Sequence, residues 1–472
     1  MKIYNEIIQS EIIRNPQLAM NPQSAIRNPQ STVTAVSPGR LDVMGGIADY
    51  SGSLLLQMPI RETTRVQLTR GEGNIFSAST GTDEQHQHFQ IDISELTGLG
   101  YTDAGKLIRS KPGGDWAVYI LGCYLVLEKE KGLVFEGDEI IVSSDIPTGK
   151  GVSSSAAIEV AAMHAIQKAY HISIDPLDLA LLAQKVENLV VGAACGLMDQ
   201  LSVCLGKKDH LLPIICQPHK VMEPIRIPDG VHFFGIDSGV RHAVSGASYG
   251  DVRAAAFMAY SVILKNIGID HSAIEKARDT GYWDDLPFKG FLGNIPLTLF
   301  EREYAGIIPE TISGTRFMKE FGVSLDTVTS IEPQKLYSLR NAAWHPVREN
   351  ERSIKFMEMM SRLNSSGQHN NIMSQMGALM YGSHDGYSSV GLGEPATQWI
   401  VDKVKAEGPV KGVYGARISG GGSGGTVVIL ADEKNGIDTV KEIYRFMQEK
   451  TGRDLYLFSG SSDGAHYVNT LL

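Results

Sequence analysis

Two glycine-rich loops place the strongest limit on how this chain can fold. The first, residues 145–157, reads D-I-P-T-G-K-G-V-S-S-S-A-A and connects a predicted strand to an alanine-rich predicted helix. It is not a P-loop, because Ser144 stands where the first glycine of G-x-x-x-x-G-K-[ST] belongs. Gly149 and Gly151 still allow a close backbone approach, and residues 153–155 place hydroxyls and free amides at a helix N-terminus, where the dipole favours a phosphate. We therefore interpret this loop as a phosphate site, although an ordinary serine cap is the simpler alternative.

The second loop, residues 419–425, contains five glycines in S-G-G-G-S-G-G. Gly420, Gly422 and Gly425 satisfy the dinucleotide fingerprint G-x-G-x-x-G. That fingerprint must open a helix, whereas here the apolar run T-V-V-I-L follows and predicts a strand. A plain hairpin turn is the competing interpretation. Taken together, the two loops suggest a pair that closes over the phosphates of a nucleotide.

Composition argues against several classes of protein. Of 472 residues, 20% are charged and 43% are hydrophobic, and a net charge of −10 without a basic run disfavours a nucleic-acid binder. The longest strongly apolar stretch, residues 119–127, is too short to span a membrane, and the first residues lack the apolar core of a secretory signal. Four cysteines without C-x-x-C spacing predict reduced thiols. We therefore expect a soluble, cytoplasmic protein that binds neither nucleic acid nor membrane.

The order of the predicted elements indicates an α+β fold. Residues 14–31 repeat the motif R-N-P-Q, and such a polar, proline-rich segment cannot bury a core, so residues 1–31 are predicted to be a disordered tail. The predicted strands are residues 31–36, 54–59, 64–69, 137–144, 413–418 and 426–430, and the predicted helices are residues 114–131, 153–170, 176–191, 246–266, 347–364, 394–407 and 438–451. Because these elements mix without a regular βαβ alternation, we expect two α+β domains, residues 32–245 and 246–472. The region 266–346 is poorly assigned and is interpreted as an insertion on the second domain.

Three polar residues outside the loops are candidates for chemistry. Glu187 lies on the polar side of the predicted helix 176–191, where a single glutamate is usually only solvated. Asp199 has apolar neighbours in the chain, so its carboxylate needs a partner, an N-cap or a salt bridge. Arg40 is either a salt-bridge residue or a phosphate clamp. With a serine hydroxyl, these residues fit phosphoryl transfer: one carboxylate holds Mg²⁺, the second orients or deprotonates the attacking hydroxyl, and the arginine neutralises charge.

Three segments in order resemble the motifs of the GHMP small-molecule kinases. They are P-G-R-L-D-V-M-G-G-I-A-D-Y at 38–50, P-T-G-K-G-V-S-S-S-A-A at 147–157 and G-A-R-I-S-G-G-G-S-G-G at 415–425. The galactokinase branch matches best, since its G-R-x-N-x-I-G-E-H-T-D-Y aligns without gaps onto residues 39–50 and its C-G-I-M-D-Q appears as C-G-L-M-D-Q. The resemblance covers roughly residues 32–472. It implies an N-terminal domain like domain 2 of ribosomal protein S5 and a ferredoxin-like C-terminal domain, with ATP and substrate between them.

The same resemblance implies a role for each matching residue. Asp199 would be the catalytic base and Arg40 the stabiliser of the transition state, while Ser155 and Glu187 would be the Mg²⁺ ligands. The residues implied to bind ATP are Gly149, Lys150, Gly151, Val152, Ser153, Ser154, Ser155, Gly421 and Gly422. The residues implied to bind the sugar are Gly46, Ile47, Ala48, Asp49 and Tyr249. Lys150 departs from the small residue usual in that loop, so it either contacts a phosphate or points to solvent.

One departure from the galactokinase pattern bears on the sugar. Galactokinases have Glu-His-Thr-Asp where this chain has G-I-A-D at 46–49, so the aspartate that holds ring hydroxyls is kept and the polar pair near the sugar's C6 hydroxymethyl is lost. L-Arabinopyranose is stereochemically D-galactopyranose without that hydroxymethyl, and the segments 44–62, 387–393 and 458–462 resemble the kinase domain of plant L-arabinokinases. We therefore predict an ATP-dependent L-arabinose 1-kinase. The alternatives are a galactokinase or a kinase of another sugar, a sugar-sensing regulator on the same scaffold, and a protein that only binds partners.

Overall fold

The structure, a computed structural model, describes residues 32–80, 87–193, 195–241, 247–363 and 369–468. The predicted tail at residues 1–31 lies outside the described residues. The strands are β1 (Thr32–Met44), β2 (Leu54–Thr69), β3 (Ile75–Thr80), β4 (Gln87–Asp92), β5 (Glu139–Ser144), β6 (His210–Cys216), β7 (His219–Val221), β8 (Ile225–Arg226), β9 (Val231–Asp237), β10 (Thr311–Ser313), β11 (Leu336–Ser338), β12 (Val413–Ile418), β13 (Thr426–Asp432), β14 (Leu457–Ser459) and β15 (His466–Tyr467).

The helices connect these strands and cover the sheets. They are Tyr101–Arg109, Gly114–Lys131, Ser154–Ala169, Pro176–Lys185, Met198–Leu205, Ala247–Asn266, His271–Thr280, Gly314–Phe321, Leu339–Leu363, His369–Ser389, Pro395–Glu407 and Gly436–Thr451, with short helical turns at Gly46–Tyr50, Ile93–Leu96, Val186–Val191, Pro287–Gly290, Leu292–Asn294, Leu297–Leu299, Phe300–Tyr304 and Pro409–Lys411. Helix Gly114–Lys131 has the predicted bounds, because glycines flank it at both ends and its C-cap, Gly132, adopts the left-handed conformation that stops a helix.

The described part of the chain has two large sheets and a small one formed by β10 and β11. The first has the path β15-β1-β2-β5-β3-β4, with β6 also pairing with β2, and the second has the order β12-β13-β9-β14. Strand β9 precedes residue 245 yet belongs to the second sheet, and β15 returns from the C-terminal end to pair with β1 of the first. The two halves therefore exchange short strands across the predicted boundary at 245/246, and that boundary remains a proposal.

Strand β2 is one element where the sequence predicts two. The sequence predicts separate strands at 54–59 and 64–69, but a single strand runs from Leu54 through Pro59 to Thr69. Proline lacks the N–H that a ladder needs, and β1 shifts register between Pro38 and Arg40, directly opposite Pro59. At this irregularity the amide of Arg40 instead donates to the carbonyl of Val152, 3.0 Å away. The first sheet is thereby joined to the first glycine loop at Arg40.

Two helices also differ from the prediction for identifiable reasons. The predicted helix 176–191 is α-helical only to Lys185 and continues as a π-helical turn over Val186–Val191, a distortion that often accompanies functional residues. The helix predicted to begin at residue 347 begins at Leu339 and passes through Pro346. The predicted helix begins after the proline, because proline disfavours a helix interior. In the structure the carbonyl of Pro346 accepts a hydrogen bond from Ser53, so a tertiary contact stabilises this segment.

The region 266–346, left poorly assigned by the sequence, supports one side of the cleft described below. It contributes two short helices, His271–Thr280 and Gly314–Phe321, and the paired strands β10 and β11, which pack with helix Ala247–Asn266. The same apolar core includes Ile47 and Tyr50 from the turn Gly46–Tyr50. The turn is therefore covered from behind by a segment that lies 200 or more residues later in the chain.

Candidate active site

A cleft lies where the Gly46–Tyr50 turn and the two glycine loops meet, with an empty volume of about 930 Å³. Its walls come from strand β1, from the Gly46–Tyr50 turn, from both glycine loops and from neighbouring helical residues. The lining residues are Arg40, Gly46, Ile47, Asp49, Gly149, Gly151, Val152, Ser153, Ser154, Ser155, Glu187, Cys195, Gly196, Met198, Asp199, Tyr249, Gly420, Gly421, Gly422 and Ser423.

Most residues predicted for the site line this cleft, and two do not. Ala48 is buried behind the turn, with none of its side chain exposed. Lys150 turns its ammonium group to the fully buried carboxylate of Asp237 on β9, at 2.5 Å. The two alternatives for Lys150 were a phosphate contact and exposure to solvent, and this ion pair is neither. The pairing is favoured because a buried Asp237 without a counter-ion would destabilise the fold.

Arg40 and Asp199 form an ion pair at the base of the cleft. The Nη2 and Nε atoms of Arg40 lie 2.8 Å and 3.1 Å from Oδ1 of Asp199, and Nη1 donates to the carbonyl of Gly151 at 2.6 Å. The arginine side chain is 3% exposed, whereas that of Asp199 is 27% exposed. A salt bridge is therefore the partner that the sequence required for Asp199, and it leaves the carboxylate facing the cleft.

The first glycine loop presents a helix N-terminus to the cleft. Gly149, Gly151 and Ser153 all have positive φ, and helix Ser154–Ala169 begins directly afterwards. No side chain caps that helix, so its first amides are available to an anion. The buried Oγ of Ser153 has no hydrogen-bond partner, which is consistent with a ligand supplying one.

Ser155 and Glu187 meet on one wall of the cleft. The hydroxyl of Ser155 donates to Oε1 of Glu187 at 3.0 Å, and Nε2 of Gln200 donates to Oε2 of Glu187 at 2.8 Å. Glu187 is 6% exposed, so the expectation for an isolated glutamate, that it is solvated, does not hold. Burial, followed by the charge of Asp199, raises the pKa of Glu187 to about 7. A hydroxyl beside a carboxylate is an oxygen donor set of the kind that Mg²⁺ prefers.

Asp49 and Tyr249 form a second polar pair near the turn. The hydroxyl of Tyr249 donates to Oδ1 of Asp49 at 2.8 Å, and the carboxylate is 4% exposed. Burial raises the pKa of Asp49 to about 6, although the Tyr249 hydrogen bond and the charge of Arg253 act in the opposite direction. A β-carbon at Gly196 would lie 1.7 Å from Oδ2 of Asp49, so only glycine permits this approach.

Behind the turn lies a buried charge network that the sequence argument missed. Asp42 and Arg417 are both fully buried and joined at 3.1 Å, and Asp42 also accepts the amides of Gly46 and Gly420. Both charged residues fall inside the motifs at 38–50 and 415–425, but nothing in their local sequence distinguishes them from solvated charges. The network joins the turn to the second glycine loop.

The two glycine loops approach each other at Arg40. A β-carbon at Gly420 would lie 3.0 Å from the carbonyl oxygen of Gly151 and 3.1 Å from Nη2 of Arg40. The hydroxyl of Thr426 also donates to the carbonyl of Lys150 at 2.9 Å. The second loop does connect two strands, β12 and β13, so the hairpin interpretation is correct for its backbone. It also lines the cleft opposite the first loop.

Within the described ranges, two kinds of feature are absent. No group of three or more His, Cys, Asp or Glu side chains is arranged to hold a metal ion on its own. No helix combines the length and apolar character needed to cross a bilayer.

Comparisons with known proteins bear on the family and the fold. Residues 118–207 match the family model "GHMP kinases N terminal domain", and residues 364–450 match "GHMP kinases C terminal". The chain is 38% identical to an L-arabinokinase from Arabidopsis thaliana, over 91% of this chain but 46% of that protein, so it spans about half the length of that relative. It is 29% identical to a galactokinase from Chloroflexus aggregans, over 90% of each chain. The fold superposes on the crystal structure of Lactococcus lactis galactokinase complexed with galactose with a TM-score of 0.69 and 18% identity, covering 98% of this chain and 100% of the other.

Proposed function

Since the chain belongs to the GHMP kinases, we propose that it transfers the γ-phosphoryl group of ATP to the anomeric hydroxyl of a monosaccharide, and that L-arabinose is its preferred substrate. One observation carries the proposal: the Arg40–Asp199 pair, the uncapped N-terminus of helix Ser154–Ala169 and the Asp49–Tyr249 pair all line one cleft. A nucleotide on one side and a sugar on the other would bring the sugar's C1 oxygen, beside Asp199, into line with the γ-phosphorus of ATP, and ADP would leave.

The chemistry assigned to Asp199 and Arg40 follows from their charges and exposure. Asp199 accepts the proton of the sugar's C1 hydroxyl or aligns that oxygen, which general-base catalysis requires within hydrogen-bond reach. Arg40 is held by Gly151 of the phosphate loop, so its guanidinium stays where negative charge develops on the transferred group. Phosphoryl transfer depends chiefly on such positioning and charge stabilisation.

The donor set at Ser155 and Glu187 fits a magnesium ion that accompanies the nucleotide. Mg²⁺ usually takes one or two protein oxygens and completes its shell with phosphates and water, so a site without three protein ligands suits it. When bound, the ion would neutralise phosphate charge. Ser155 and Glu187 would hold it, and Gln200 keeps the Glu187 carboxylate turned toward Ser155.

The preference for L-arabinose rests on the side of the cleft formed by residues 46–49. Asp49 and Tyr249 supply polar atoms for ring hydroxyls, whereas Gly46 and Ile47 supply none from their side chains. A sugar lacking the C6 hydroxymethyl loses nothing at such a wall, but apolar space alone usually discriminates by only about 10- to 200-fold. D-Galactose is the second candidate, favoured by the similarity to galactokinases over 90% of each chain.

A coupled assay with Mg²⁺ and ATP tests the proposal by comparing kcat/KM for L-arabinose and D-galactose. We expect turnover with both sugars and a clear preference for L-arabinose. Equal or better turnover of galactose would keep the kinase and remove the pentose assignment. No turnover with either sugar or with a wider panel would contradict the kinase and favour the alternative of a sugar-sensing regulator. The cytoplasmic location and the absence of nucleic-acid or membrane binding stay predictions.

A further inference from the structure

A single hydroxyl joins the turn that faces the sugar to the loop that faces the nucleotide. Tyr387, on helix His369–Ser389, is fully buried, and its hydroxyl donates to the carbonyl of Gly420 at 2.6 Å. The same oxygen accepts the amide of Ile47 at 3.1 Å and Nη2 of Arg417 at 3.1 Å. One donated and two accepted hydrogen bonds exhaust the capacity of a tyrosine hydroxyl.

The hydroxyl also limits what residue can stand at position 46. Gly46 has φ of +47°, and a β-carbon there would lie 1.8 Å from the Tyr387 oxygen and 2.8 Å from its Cζ. No side chain fits while the tyrosine is in place. The bare turn at Gly46 and the tyrosine behind it are therefore two parts of one arrangement.

Burial prevents water from replacing the contacts of Tyr387. Ile47 is 2% exposed, and its amide would be left without a partner if the hydroxyl were removed, a state that buried amides avoid. The turn would then have to shift to satisfy that amide. A shift at Ile47 moves the wall that faces the sugar, because Gly46 and Ile47 both line the cleft.

We propose that Tyr387 is a positioning residue that determines sugar selectivity, by holding the Gly46–Ile47 wall in a form that lacks side-chain polar groups and by fastening it to Gly420. This inference rests on the proposed sugar kinase function. It assigns selectivity to a residue that does not itself line the cleft. The hydroxyl acts through the backbone of Ile47 rather than by touching the sugar.

Tyr387→Phe tests the inference, because it removes one oxygen and keeps the ring. We expect the KM for L-arabinose to rise about tenfold and the ratio of kcat/KM for L-arabinose over D-galactose to fall by about the same factor. Tyr381→Phe is the matched control, since Tyr381 lies on the same helix and packs against a different core, and we expect its ratio to be unchanged. A Tyr387→Phe variant with an unchanged ratio would overturn the inference, whatever its thermal stability.

A double-mutant cycle adds a readout that general destabilisation does not move. Gly46→Ala should reduce kcat/KM about a hundredfold in the unaltered chain, and only about tenfold in the Tyr387→Phe background, where the nearest atom to the new methyl is Nη2 of Arg417 at 2.6 Å rather than the Tyr387 oxygen at 1.8 Å. Additive effects would contradict the inference. If the unaltered chain turns over no sugar at all, the proposed kinase function fails. If it turns over sugar but the two substitutions are additive, only the role of Tyr387 fails, so the two failures are distinguishable.

Discussion

Arg40 makes both of its contacts with Asp199 through one carboxylate oxygen: Nη2 and Nε lie 2.8 Å and 3.1 Å from Oδ1. The guanidinium and the carboxylate are therefore held side by side, and both residues line the cleft. Because the third contact of Arg40 is with Gly151, the ion pair is also attached to the first glycine loop. Asp199, Arg40 and this loop therefore form one connected unit, on which the first prediction depends.

Asp199→Asn should lower kcat by about 10²- to 10⁴-fold, because an amide cannot accept the proton of the attacking hydroxyl. The affinity for the sugar, measured by titration calorimetry, should change only a few-fold, since the Asp49–Tyr249 pair remains. Asp229→Asn is the control, because that carboxylate is 91% exposed and is not one of the residues that line the cleft. Turnover of Asp199→Asn near that of the unaltered chain would rule out this base.

Glu187→Gln should raise the Mg²⁺ concentration needed for half-maximal activity by more than tenfold. The amide keeps the size of the side chain but removes the negative charge that a hard cation prefers. Ser155→Ala should produce a smaller change in the same direction, because a neutral hydroxyl is the weaker ligand. Activity titrated with Mg²⁺ at saturating ATP measures both effects. An unaltered Mg²⁺ requirement in Glu187→Gln would exclude this residue as a ligand.

Asp49 should produce an acid limb in the pH dependence of sugar use. Its pKa is raised to about 6 by burial, so the carboxylate becomes protonated as the pH falls through that value. A protonated Asp49 is a poorer acceptor for sugar hydroxyls, so kcat/KM for the sugar should decline below about pH 6. In Tyr249→Phe this limb should move to higher pH, because the Tyr249 hydrogen bond lowers the pKa. A limb at the same pH in both proteins would contradict the assignment.

The same raised pKa values predict how stability depends on pH. A carboxyl group with a pKa higher in the folded than in the unfolded state binds more protons when folded, so the free energy of unfolding falls as the pH rises from about 4 to 7. Asp49 and Glu187, with pKa values of about 6 and about 7, both act in this direction. Asp49→Asn should therefore stabilise the ligand-free protein by about 2 to 3 kcal/mol at pH 8 and by about half as much at pH 5. Urea unfolding at the two pH values measures the difference, and equal effects would refute it.

The buried Asp42–Arg417 pair should dominate the stability of the wall behind the cleft. Arg417→Met leaves the fully buried Asp42 without its counter-ion, and breaking such a pair typically costs about 3 to 5 kcal/mol. Arg316→Met is the matched control, because Arg316 forms an exposed i,i+4 pair with Glu320, and solvent-exposed pairs contribute little to stability. Similar losses in both variants, measured by urea unfolding, would contradict the role of the buried pair.

The sequence alone determined the fold class and most of the residues that line the cleft. Glycines between a strand and a helix, or between two strands, constrain the backbone locally, and local constraints can be read from a chain. Helix Gly114–Lys131 and the first glycine loop are examples. The three motifs then indicated the family by their order along the chain, and residues 39–50 match the galactokinase pattern without gaps.

Only the tertiary structure decided which charges are buried and what they contact. Lys150 reaches Asp237, and Tyr387 reaches both Ile47 and Gly420, across separations of 33 to 340 residues. The continuous strand through Pro59 and the helix through Pro346 likewise depend on neighbours distant in sequence. Local sequence carries no signal for such contacts, because whether a charge is solvated or paired depends on which distant segments fold against it.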